Sequence, residues 1–120
     1  MLHIQTQQGT HAIQARIANR FWPRFKGLML TASLPEQGGL LITTCNSVHT
    51  AFMRYPIDIV YLDQHGQVQK CVARLRPWRA SFGWLKTIKH TLELPAGSIT
   101  RYGIQAGDRV CAPGLPGPMA

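Results

Sequence analysis

Carboxylates are what this 120-residue chain has least of: five, against 13 lysines and arginines, for a net charge of +8. So few acids leave no second carboxylate at a spacing that would set the geometry of a glycosidase. Cysteine is equally unhelpful to a framework. Cys45, Cys71 and Cys111 are an odd number without close spacing, which excludes a CxxC zinc site or a disulfide scaffold and leaves reduced, partly buried thiols. No apolar run approaches the ~20 residues of a membrane-spanning helix. The N-terminal "MLHIQTQQGT" lacks a basic region followed by an apolar one, so no signal peptide is read and a cytoplasmic location is expected. Internal repeats, low-complexity runs and linkers are missing, as are HExxH, GxSxG, phosphate-loop, RNP, KH and helix-turn-helix signatures.

What is present is a globular composition, 45% hydrophobic and 15% charged, of a length that one core can serve. The expectation is a single β-rich domain over residues 1–112, with a Pro- and Gly-rich tail over 113–120 that frays. "HAIQARI" (11–17) alternates as a strand does. Asn19 is placed to cap a short helix over 20–29, with Pro23 in its first turn. "GLLIT" (39–43) reads as a short buried strand. "PIDIVYLD" and "QVQKCVARL" read as two strands joined by Asp63–Gly66, where Gly66 supplies a positive φ. "HTLELP" is a further strand. Ser98 and Gly103 are placed to cap one or two helical turns, and "GDRVCA" is a last strand entered through a turn. Many short strands separated by turn signals predict a mainly β fold, a compact antiparallel sandwich or barrel with one or two short helices.

"RFKGLM" (24–29), "GGLL" (38–41), "HTAFMRYPIDIVYLDQHGQV" (49–68), "LELPAG" (92–97) and "GD" (107–108) occur in this order. With them the chain resembles the family known as domain of unknown function 192 over about residues 11–112. The resemblance implies a single β-rich domain, broadly jelly-roll-like, with short helices. It brings no established reaction, ligand or cofactor. Many members of that family carry a secretion leader.

The scarce acids carry the functional reading. Alternation puts Ile57, Ile59 and Tyr61 on one face of the central strand and Asp58, Val60 and Leu62 on the other. Asp58 therefore shares a face with aliphatics, where a carboxylate must be paired or heavily hydrogen-bonded. It either holds a loop together, the commoner case, or lines a pocket mouth. Arg24, with a fork suited to carboxylates, is its leading partner, and His49 the second. Glu93, between Leu92 and Leu94, points away from them, to an outer face or into the same polar cluster, within reach of Arg74 or Arg76. The expected site is a shallow pocket of Arg24, His49, Thr50, Met53 and Asp58, rimmed by Trp78 and Trp84, that takes a small anionic or sugar-like ligand. No metal and no cofactor is expected: Cys45, His49 and Asp58 as a metal set rest on loose spacing alone. Two alternatives stand beside this. One is an enzyme with His49 and Asp58 as acid and base. The other is a nucleic-acid or protein interaction module using the basic, aromatic loop 74–89, in which Arg74, Arg76, Arg79, Lys86 and Lys89 interleave with Trp78, Phe82 and Trp84. A strand edge or that loop also offers a surface for a homodimer.

Overall fold

A computed structural model of the chain describes residues 1–19, 38–43, 47–49, 56–76, 80–83 and 85–113. Among the described residues, nine strands and one short helix follow one another: β1 (Leu2–Thr6), β2 (Gly9–Asn19), β3 (Gly38–Thr43), β4 (Ser47–His49), β5 (Ile57–Leu62), β6 (Val68–Leu75), β7 (Ala80–Phe82), β8 (His90–Pro95), α1 (Ser98–Tyr102) and β9 (Arg109–Cys111). Seven strands form one sheet in the order β6-β5-β8-β3-β2-β1-β9, and β4 with β7 forms a separate two-stranded ribbon. The mainly β class read from the sequence is the class of the fold.

The pairings are antiparallel except that of β2 with β3, which is parallel. An all-antiparallel arrangement was the expectation. A parallel pair needs a crossover of a dozen or more residues, and residues 20–37 between the two strands are enough chain to make one. The helix expected over 20–29 lies outside the described residues. The sheet also curls until its edges meet. The Val68 N–H donates to the Asp108 carbonyl at 2.7 Å, the Gly107 N–H to the Val68 carbonyl at 2.9 Å, and the Val110 N–H to the Gly66 carbonyl at 2.7 Å. Edge strands β6 and β9 are thus joined near the Asp63–Gly66 turn, which shields part of each from unwanted pairing.

β5 and β8 lie inside the sheet, and all six β5 residues are buried. Apolar side chains go to both faces, as in any strand covered on two sides. On the first face Val60, Leu62, Leu41, Leu92 and Leu94 pack with Leu2, Ile4, Ile13, Val68, Val110, Tyr102 and Ile104. On the second, Leu40, Ile42, Ile57, Ile59 and Tyr61 pack with Ile88. Helix α1 closes the first face, its Tyr102 ring resting 4.8 Å from that of His11 on β2.

Three short strands were not read from the sequence. β1 hides in "LHIQT", where only Leu2 and Ile4 are buried, and a turn ending at Gly9, with φ +125°, returns the chain into β2. β4 and β7 are three residues each, too short to show a period; β7 lies within the segment taken as a long loop.

β3 and β8 approach closely at Gly39. A Cβ there would lie 2.8 Å from Leu94 Cδ2 and 2.9 Å from the Glu93 carbonyl oxygen. Gly39→Ala is therefore expected to lose about 1–3 kcal/mol, read as a lower urea midpoint at an unchanged m-value. A midpoint equal to wild type would show that β3 and β8 yield without strain.

Candidate functional site

The two buried carboxylates of the sheet occupy adjacent strands but opposite faces. Asp58 is fully buried and sits across from Leu94, on the first face. Its Oδ1 accepts the Arg74 N–H at 2.8 Å, and its Oδ2 accepts the Ile99 N–H at 2.8 Å. Each of these donors sits where the backbone departs from regular structure. Arg74 lies in a bulge: between the pairs Ile57–Leu75 and Ile59–Val72, β6 carries one residue more than β5. Arg74 has φ +53° there, a left-handed conformation that costs a non-glycine residue about 1–2 kcal/mol. Ile99 is in the first turn of α1, where an N–H has no partner within the helix.

The caps of α1 correct the sequence reading in one respect. Ser98 was expected as N-cap. The cap is Gly97, with φ +95° and no side-chain bond to the helix, and Ser98 Oγ donates instead to the Pro95 carbonyl at 2.6 Å. The capping is done from outside, by Asp58. Gly103 is left-handed at the C-terminus as expected, with φ +68°. A side chain on Gly97 would also meet the Arg74 guanidinium at 3.6 Å, so the bulge and the helix start are neighbours with Asp58 between them.

Glu93 is the other buried acid, 4% exposed. It points away from Leu92 and Leu94, as alternation requires, but that face is not an outer one. Glu93 is in register with Leu40 on one side and Ile59 on the other. The second face of β8 is covered as well, since Thr91 and Glu93 are both buried; a single strand read alone gives no signal of that. β6, the strand of Arg74, is separated from β8 by β5, and Arg76 beyond it is exposed. Next to Glu93 on this face are the fully buried Thr91 and Tyr61. The Tyr61 hydroxyl donates to Ser81 Oγ at 2.8 Å, which fastens the β4–β7 ribbon over the second face. His49 stands in register with Ala80 at the end of that ribbon. The ribbon that carries His49 is thus on the Glu93 side of the sheet, and the Asp58 carboxylate is on the other.

Of the remaining predicted site residues, Arg24, Thr50, Met53, Trp78 and Trp84 lie outside the described residues. So do Cys45 and Glu36. No group of three or more metal-ligating side chains occurs among the described residues. The other described acids also serve the backbone. Asp63 Oδ1 accepts the N–H groups of His65 at 2.8 Å and Gln67 at 2.9 Å; Asp108 Oδ2 accepts that of Gln105 at 2.8 Å. These bonds shape the two turns at which β6 and β9 meet.

Two titrations follow from burial. His90 is pushed below its ordinary value by burial, with Asp63 opposing and Lys89 adding to the shift. The Cys71 thiol, whose Sγ lies 3.9 Å from the Ile104 carbonyl, is pushed up to about 11 by burial first and then by the charges of Asp108 and Asp58. Such a thiol is not a nucleophile at neutral pH.

The family model for uncharacterised ACR proteins, DUF192, matches residues 3–112. The chain belongs to the DUF192 family. A UPF0127 protein of Thermococcus sibiricus is 33% identical over 101 residues, which are 81% of this chain; the chain spans only 64% of that relative's length. Among solved structures, a protein of unknown function from Novosphingobium aromaticivorans superposes with a TM-score of 0.82 at 21% identity, covering 91% of this chain and 81% of the other. A candidate transcription regulator from Sinorhizobium meliloti gives 0.76 at 21% identity, covering 91% and 89%. Likeness at that identity shows a shared fold and assigns no activity.

Asp58→Ala should lose about 3–5 kcal/mol, because two buried N–H groups are left without their charged acceptor. Asp58→Asn should lose less, since its carbonyl still accepts one bond. Amide exchange at Arg74 and Ile99 should accelerate in both; protection unchanged from wild type would contradict the bridge. With Cys45 and Cys111 replaced by serine, Cys71 should carry about 100-fold less thiolate at neutral pH than an ordinary thiol. It should therefore react with Ellman's reagent far more slowly than free cysteine, and a comparable rate would contradict this burial.

Proposed function

We propose that this DUF192 protein is a small-ligand binding module whose site lies on the second face of the sheet, under the β4–β7 ribbon. The observation that carries the reading is Glu93. A carboxylate 4% exposed between Leu40 and Ile59 is costly in an apolar wall unless cations or donors approach it from the covering side. An apolar wall with a few fixed polar groups, here Glu93, Thr91 and the Tyr61–Ser81 pair, has the composition of a small-molecule site. The reading gives Arg24, His49, Thr50, Met53, Trp78 and Trp84 to an anionic or sugar-like ligand. The net charge of +8 favours the anionic class.

Asp58 takes a different role in this reading. It positions the Arg74 bulge and α1 from the far face and does not line the pocket. That placement also weakens the enzyme alternative. Both of its oxygens already accept backbone N–H bonds, and it faces away from the ribbon that bears His49.

A melting-temperature screen tests the proposal with inorganic phosphate, sulfate and glucose as probes. Phosphate or sulfate is expected to raise the melting temperature of wild type, and Arg24→Gln and Glu93→Gln to abolish the rise while Lys86→Gln retains it. No response to any probe, or an equal response in all variants, would reject the site.

A further inference from the structure

From Gln64 to Leu92 the sequence contains no carboxylate, yet it carries Lys70, Arg74, Arg76, Arg79, Lys86 and Lys89. The acid just before it, Asp63, is engaged by two backbone N–H groups. Within this unopposed basic stretch, Phe82 and Leu85 are each 50% exposed. They are half-exposed apolar side chains three residues apart in a basic segment.

Phe82 ends β7, and Leu85 opens a braced turn. The Ile88 N–H donates to the Leu85 carbonyl at 3.1 Å and the Lys89 N–H to the Leu62 carbonyl at 2.8 Å. Ile88 itself is buried, 3% exposed, in the second-face core. Thr87 Oγ1 donates to Gln69 Oε1 at 2.9 Å, and Lys70 Nζ to the Phe82 carbonyl at 3.2 Å. The turn is thus tied to β5 and β6, while Leu85, Lys86, Thr87 and Lys89 face solvent.

We propose that Phe82, at the end of β7, and the turn Leu85–Lys89 dock the protein peripherally on an anionic lipid surface. Phe82 and Leu85 would enter the boundary between headgroups and acyl chains, and Lys86 and Lys89, with Lys70 beside them, would meet the headgroup charges. Apolar tips and adjacent cations are the two elements such binding requires. Bracing lowers the ordering cost of docking. Single-stranded nucleic acid would use the same charges, but its bases bind by stacking on planar rings, and of the two exposed apolar side chains only Phe82 offers one. No helix among the described residues is long and apolar enough to cross a membrane, and surface docking needs none.

Sedimentation of the full chain with vesicles tests this, using phosphatidylcholine alone and phosphatidylcholine mixed with phosphatidylserine. Binding is expected only to the mixed vesicles and should weaken as salt rises. The Lys86→Gln/Lys89→Gln variant should bind about five-fold more weakly for each lysine removed. The Phe82→Ser/Leu85→Ser variant should bind the mixed vesicles several-fold more weakly while its melting temperature stays at the wild-type value. Three results would overturn the proposal: no binding to either vesicle, equal binding to both, or no effect of the apolar substitutions on vesicle binding. Binding to oligothymidylate that survives the apolar substitutions, without vesicle binding, would assign the surface to nucleic acid instead.

Discussion

The fold turns on one carboxylate. Asp58 is fully buried on β5 and ties together the bulge at Arg74, where the β5–β6 ladder is interrupted, and the first turn of α1. Charge-assisted bonds to backbone N–H groups are about twice as strong as neutral ones, and here both donors sit where the regular ladder cannot serve them. Asp58 thereby fixes where β6 bends and where α1 begins. Through α1 it also places Ile99, Tyr102 and Ile104 against the first-face core. Its field contributes, after burial and Asp108, to holding Cys71 as a neutral thiol.

The same economy extends along the chain. Asp58, Asp63 and Asp108 all accept backbone N–H bonds, and Glu93 is buried within the sheet. The four described acids are thus drawn into turns and core, and they serve the backbone and the sheet interior rather than exposed ion pairs. The two faces of the sheet divide the remaining work. The first is sealed by α1 and the β1–β2 hairpin; the second takes the β4–β7 ribbon and holds Glu93.

Much of this was legible in advance, and the reasons differ by element. The β5–β6 hairpin announces itself through alternation and Gly66, whose φ is +88°; the face assignment of Asp58 against Ile57, Ile59 and Tyr61 follows from the two-residue period alone. That Asp58 needed partners was also readable, because an isolated buried charge is too costly to keep. Its partners were not. Arg74 and Ile99 donate through their backbone N–H groups, which every non-proline residue possesses, so no side-chain identity marks them. The bulge was invisible for a related reason: no glycine signals the positive φ at Arg74. Ser98 looked like a cap because its side chain is of the right type, yet the position before it is Gly97 and the acceptor comes from 41 residues away.

The sequence by itself determined the mainly β class, the hairpin, the left-handed Gly66 and Gly103 and the family, since these rest on local period, on backbone freedom at single positions and on short ordered motifs. Only the tertiary structure decided the strand order, the parallel β2–β3 pair and the burial of both faces of β8. It also decided the separation of Asp58 from Glu93 onto opposite sides of one sheet. These depend on which strands become neighbours, and that is set by long-range packing and by backbone hydrogen bonds whose donors look alike along the chain.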